Sequence, residues 1–426
     1  MREKYLAAAM AALFCLGGFL CGCQGRENVG EEQKVHLELM VRKREDMESM
    51  RLLTEAFHQA QDEIEVELNF APNVDTELKI RAVEGTLPDL IQVNGLQARE
   101  CMEFVQGGYF LDLTGEPCME RVREELFPYI RYDGKLPFFP MTMSYEGIYV
   151  NEELMEKGGY EIPQTYEELI STAQDIRDSG QTAFLFSDKE SWSARMCWEN
   201  IETAVRGSSA DLWEKVAKGE ASFETDAVTM KSLERFREIR EFGQPDAMQT
   251  GYDEAVSAYA REEAYFFVQG SWSYQALMQK NASLQLQLIP FPTAAGEERH
   301  VMFWVDSNLA VSSQSKHPKE ALQFLEFLSQ PENLEIYANA QHTFGCVWGM
   351  ENSVPYADEV RRLSKQGKLV YESIGLPEEV SRFRDETISE ILTDPSDAAR
   401  QKYLEAYTKK LREYGEEYLE MEGRMG

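Results

Sequence analysis

The chain is short of the residues that most metal, nucleophile and phosphate sites are built from. It has five histidines, His36, His58, His300, His317 and His342, with no i, i+4 pair among them and no cysteine at ligand spacing. The sequence therefore carries no metal-site signature. There is also no G-x-S-x-G elbow and no glycine-rich phosphate loop. No catalytic residue, metal ligand or cofactor is assigned. The enzymatic alternative is a glycosidase whose two carboxylates meet only in space, which 75 acidic residues leave open. Cysteine is sparse and shows no C-x-x-C; Cys101, Cys118, Cys197 and Cys346 are too widely spaced for a disulfide scaffold. Buried free thiols are expected, with a Cys101 to Cys118 bridge as the alternative. Basic residues are outnumbered 43 to 75, giving a formal charge of −32. Such a surface repels nucleic acid and anionic lipid, and it suits neutral or cationic ligands.

What is present begins at the amino terminus. Arg2 and Lys4 precede an apolar run from Tyr5 to Leu20, shorter than the roughly 20 apolar residues of a membrane span and patterned as a secretory signal. The run ends in Leu20-Cys21-Gly22-Cys23, which resembles the bacterial lipobox. That resemblance implies cleavage after residue 22, a lipid on Cys23, and a chain anchored to the outer face of the cytoplasmic membrane. Residues 23–34 are polar, without apolar period, and read as a tether. The remainder, about 400 residues, is long enough for two or three domains.

Val35 to Val41 reads as a strand. Met47, Met50, Leu53 and Phe57 then recur at helical spacing, and Ile64, Val66, Leu68 and Phe70 alternate as a second strand. Strand, helix, strand implies a parallel sheet. Leu87 to Asn94 is a third apolar run, followed by a helical stretch ending near Gly107 and Gly108. Thr165-Tyr166-Glu167-Glu168 is a capping box opening a helix that runs to Gly180, and Pro318 and Pro331 each open another. The segment from Asp358 to Met425 reads as helical and charged.

Four segments in order resemble the extracellular solute-binding proteins of ABC importers, in particular the sugar-binding, maltose-binding-protein-like group. They are Gly85-Thr86-Leu87-Pro88-Asp89-Leu90-Ile91; Gly134 through Pro140 to Leu154; Glu263 to Trp272, ending Gly270-Ser271-Trp272; and Ser312 to Leu328, containing Ser315-Lys316-His317-Pro318. The resemblance implies an α/β fold of two lobes, each a mostly parallel sheet flanked by helices, with the ligand in a cleft at a hinge crossed more than once. It places a first crossing near Met143 to Gly147 and a return near Asp306 to Leu309. Residues 35–144 and about 309–345 would form one lobe, 145–308 and about 346–426 the other. The expected partners are a small-molecule ligand, most of all a carbohydrate or oligosaccharide, and the permease subunits; the chain is expected to be a monomer that touches membrane only through its lipid. A peptide or polyamine is the alternative ligand, and a ligand-sensing or adhesive lipoprotein the alternative role. Two segments depart from the family pattern, Trp304-Val305-Asp306 before the return and the basic Val41-Arg42-Lys43-Arg44-Glu45-Asp46 after the first strand, and by the resemblance both would face the cleft.

A sugar offers apolar C–H faces and a ring of hydroxyls, so its site needs flat aromatic surfaces and planar polar groups. All six tryptophans lie after residue 190. By the resemblance, Trp272 is the stacking platform and Trp192 a second aromatic, while Trp304 and Trp348 occupy cleft-side loops. Trp198 and Trp213 read as packing. Asn94 follows the third strand, where parallel sheets expose their carboxyl ends; Ser144 and Tyr145 lie in the first crossing, and Asp306 in the return. Arg42 and Asp46, at the end of the first strand, are also candidates for the cleft.

Overall fold

The computed structural model describes residues 34–424 apart from 97, 351–353, 355–357 and 372–375. The signal segment, Cys23 and nearly all of the tether lie outside the described residues.

Among the described residues, twelve strands form two sheets. In the first, β1 (Val35–Val41) is parallel to both β2 (Ile64–Phe70) and β3 (Leu90–Val93). The helix Met47–Ala60 makes the crossover from β1 to β2, burying Met50, Leu53 and Phe57 on one face as the helical spacing requires. β4 (Phe139–Pro140) completes this sheet at one edge, and β10 (Asn308–Val311) inserts antiparallel between β3 and β4, so the order is β2-β1-β3-β10-β4.

The second sheet is organised around β5 (Thr142–Asn151), a ten-residue strand buried along its whole length. Its first half pairs antiparallel with β9 (Val301–Val305) and β11 (Phe344–Gly345), its second half with β7 (Phe266–Gly270) and β8 (Leu286–Ile289). β6 (Phe184–Leu185) and β12 (Leu369–Tyr371) add parallel at the two edges. The two-sheet α/β architecture is as the resemblance implied, and each sheet is mixed through one strand: β10 in the first and β5 in the second run against all the others. The reason is local: β5 and β10 arrive by direct links from the other sheet, not by helical crossovers, and nothing then imposes a parallel direction.

Those links run side by side. Met141 joins β4 to β5, and Asp306-Ser307 joins β9 to β10. The Met141 and Thr142 N–H groups donate to the Ser307 carbonyl at 2.9 and 3.2 Å, and the Asp306 N–H donates to the Thr142 carbonyl at 3.0 Å. The N–H of Cys346 donates to the Met141 carbonyl at 3.0 Å, adding a third segment to the crossing.

The capping box forms as read, with Thr165 and Glu168 bonded reciprocally at the head of the helix Tyr166–Asp178. Within the carboxyl-terminal part, the helices Glu378–Thr393, Asp397–Glu413 and Gly415–Arg424 are as expected. β12 is not: three residues are too few to show a period, and β9 alone specifies them as strand. Trp198 and Trp213 are core side chains, 3% and 5% exposed. Cys101, Cys118, Cys197 and Cys346 are free and buried.

Candidate functional site

A cavity of about 560 Å³ opens between the two sheets, beside the crossing links. Tryptophan and charged side chains line it. β7 ends at Gly270, and Trp272 starts the helix Ser273–Lys280. The indole folds back over the Gly270 Cα so closely that a Cβ there would lie 1.8 Å from the ring; only glycine permits this pose. Trp304, from β9, stacks on Trp272 with ring centroids 5.1 Å apart and planes inclined by 23°. Trp192, in the first turn of the helix Ser191–Arg206, leans on Tyr252 at 5.7 Å, and the Tyr252 hydroxyl lies 3.0 Å from Ser273 Oγ. The aromatic wall is therefore tied to the helix that starts at Trp272.

Charge is arranged in pairs around this wall. Asp306 accepts from Lys43 Nζ on both carboxylate oxygens at 2.8 Å and from Ser144 Oγ at 2.8 Å. Burial pulls the Lys43 ammonium down, but Asp306 and Asp46 outweigh it and hold its pKa above the ordinary lysine value. On the opposite side Glu199 forms an ion pair with Arg384, whose Nη1 lies 2.9 Å away, and accepts from Arg195, whose Nε lies 2.8 Å from Asp385. Asn94 donates to Glu100 at 3.3 Å, completing the rim.

Of the residues singled out from sequence, Trp272, Trp304, Trp192, Asn94 and Asp306 line this cleft together. Ser144 and Asp46 border a small recess that adjoins it through Lys43, Trp272 and Asp306. Asp46 is buried, 3% exposed, and accepts from Gln92 and from the Tyr337 hydroxyl at 2.7 Å. Burial pushes its carboxyl up to about 6, although Lys43, Tyr337 and Gln92 each pull it down. Arg42 does not line the cleft. It grips Asp75 in a bidentate pair at 2.7 and 2.9 Å and reaches Glu100 at 2.8 Å, so it orients a rim carboxylate from behind. Tyr145 and Trp348 line a different cavity. Strand alternation explains this for Tyr145: its neighbours Ser144 and Glu146 face the cleft side, so it must face away.

Sequence reasoning reached Lys43 only as part of a cleft-facing segment and missed Glu100, Glu146, Arg195, Glu199 and Arg384. Two signals were available: Glu146 sits two residues beyond Ser144 on one strand, and Arg195 and Glu199 follow Trp192 at helical spacing. Arg384 had none, because only the packing of Glu378–Thr393 on Ser191–Arg206 brings it there. Among the described residues no group of three or more His, Cys, Asp or Glu is placed to hold a metal ion.

Three comparisons bear on this arrangement. The multiple sugar-binding protein of Streptococcus mutans is 23% identical over 323 residues, 75% of this chain and 77% of that protein. The melibiose/raffinose/stachyose-binding protein of Bacillus subtilis is 21% identical over 355 residues, 80% of this chain and 81% of that protein. Among solved structures, the solute-binding protein RafE in complex with raffinose superposes with a TM-score of 0.75 at 19% identity, covering 90% of this chain and all of that one; at this identity the likeness speaks to the fold. The sequence pattern of bacterial extracellular solute-binding proteins matches residues 53–362, nearly three quarters of the chain and almost every strand of both sheets, and on that match the chain belongs to the bacterial extracellular solute-binding protein family.

Proposed function

We propose that this protein is the lipid-anchored substrate-binding subunit of an ABC importer and that it holds a carbohydrate of oligosaccharide length in the cleft between its sheets. The observation that carries the reading is the stacked pair Trp272 and Trp304, with Trp192 nearby, facing a rim of carboxylate, amide and guanidinium groups. Aromatic faces meet sugar C–H surfaces, and planar polar groups bond pairs of hydroxyls. A volume of 560 Å³ is that of a small-molecule site rather than a peptide groove. Two relatives carry sugar names, one of them melibiose, raffinose and stachyose. The cleft is lined by Lys43, Arg99, Arg195 and Arg384 against Glu100, Glu146, Glu199 and Asp306, a balanced set that a polyamine, which needs an excess of carboxylates, does not match. The family binds solutes rather than transforming them, which removes the glycosidase alternative.

Calorimetry against melibiose, raffinose, stachyose, spermidine and a tripeptide tests the ligand class. Saturable heat from at least one of the sugars and none from spermidine or the peptide is expected; the reverse pattern would overturn the carbohydrate reading. Anchoring is tested separately. Cys23→Ser should abolish metabolic labelling with a fatty acid, and persistent label on that variant would place the lipid elsewhere.

A further inference from the structure

The cavity that takes Tyr145 and Trp348 has a volume of about 390 Å³ and lies on the opposite face of the crossing strands from the cleft. Along β5, Ser144 and Glu146 turn to the cleft side while Met143 and Tyr145 turn here; along β9, Trp304 turns to the cleft and Phe303 here. The two spaces are thus separated by the thickness of one sheet. Apolar and aromatic side chains, Phe303, Phe344 and Trp348 among them, make up most of the second lining.

Its charged lining is of one sign. Among the described residues, Arg123, Arg361 and Lys365 border the cavity and no Asp or Glu does, in a chain where acidic residues outnumber basic ones 75 to 43. Arg123 is already paired with Glu125 at 2.7 Å, and its guanidinium lies 5.3 Å from the centre of the Trp348 ring. Arg361 lies 5.7 Å from the centre of the Phe344 ring, and its Nη2 is buried with no hydrogen-bond acceptor among the described residues. A buried guanidinium N–H left without an acceptor is costly, and an anion is the group that would satisfy it best. Trp348, 54% exposed, leaves a large aromatic face open at the mouth. Cationic donors beside unfilled aromatic surface match a ligand with an apolar body and an acidic head.

We infer that this cavity behind the crossing strands is a second small-molecule site, which takes an aromatic or amphiphilic molecule bearing one anionic group. The proposal does not depend on what the cleft binds.

The probe is 8-anilinonaphthalene-1-sulfonate, compared by fluorescence titration with N-phenyl-1-naphthylamine, which has the same aromatic body and no charge. The sulfonate should bind one saturable site at least about tenfold tighter than the neutral dye, and Arg361→Gln should weaken it by about tenfold, a single charge-assisted contact. Arg361→Lys, which keeps the charge, should retain most of the affinity and stands in if the glutamine variant does not fold. Trp348→Ala should weaken both dyes, and Trp272→Ala, in the cleft, neither. Equal binding of the neutral dye, wild-type affinity in Arg361→Gln, or loss of the dye site in Trp272→Ala would each overturn the proposal.

Discussion

Trp272 and Asp46 border the same small recess but differ in environment, and each makes its own prediction. Trp272 is partly exposed, with its ring stacked on Trp304 at the cleft surface. Removing a desolvated aromatic anchor commonly weakens binding by about 2 kcal/mol, roughly thirtyfold, whereas removing a core tryptophan lowers stability by about 3 to 5 kcal/mol. Trp272→Ala is therefore expected to lose sugar affinity in calorimetry while the ligand-free melting temperature changes little; a large drop in that temperature would make the ring a core residue. Asp46 is the opposite case. Its carboxyl titrates at about 6 in the fold against 3.8 in the open chain, with burial the main cause. The native state then binds the proton more tightly than the unfolded state. The stability this provides is complete below pH 3.8 and is lost as pH rises through about 6, some 3 kcal/mol in all. Asp46→Asn keeps an acceptor for Tyr337 and Gln92 but cannot ionise. The stability difference between variant and wild type, from urea unfolding, should grow in the variant's favour by up to about 3 kcal/mol between roughly pH 4 and pH 7. A difference that stays flat over that interval would show that Asp46 ionises at its ordinary value.

At the scale of elements, the turn from β7 into the helix Ser273–Lys280 converts a sequence motif into a surface. Gly-Ser-Trp reads in sequence as a strand end followed by a helix start, and the structure adds the reason for the glycine: the Trp272 ring occupies the space a Cβ would need. Gly270→Ala leaves Trp272 in place chemically but forces its ring off the Gly270 Cα and away from Trp304. It should cost sugar affinity on the order of tenfold, less than Trp272→Ala, and alter the near-ultraviolet signal of the coupled indoles. Wild-type affinity together with an unchanged spectrum would mean that the ring pose is not what the cleft uses. The same scale shows why Tyr145 and Ser144, adjacent in sequence, part company: one strand of alternating side chains serves two cavities.

At the scale of the whole molecule, two sheets joined by short, mutually hydrogen-bonded links have the layout of a hinge, and a ligand touching both sides of the cleft would select a closed arrangement. Small-angle scattering at saturating sugar is expected to show a smaller radius of gyration than the free protein; an identical profile would make the crossing rigid. The first three strands, their crossover helix, the capped helix at Thr165, the packing roles of Trp198 and Trp213 and the unpaired cysteines were all legible in the sequence. Each is a local pattern of burial period, cap or composition, and such patterns survive without knowledge of the neighbours. That Trp272, Trp192, Trp304, Asn94 and Asp306 line one cleft was legible as well, for the tryptophans through the resemblance and for Asn94 and Asp306 because they sit where a strand ends or a lobe is crossed. What the sequence did not contain was the company these residues keep. Arg384 reaches the cleft from a helix that packs late in the chain, Arg42 is drawn off to Asp75, Trp348 turns to the other face, and β12 exists only because β9 offers it a partner. The sequence by itself determined the elements and their apolar faces; tertiary structure decided which charged groups meet across them, since ion pairing depends on distances between segments that no local period encodes.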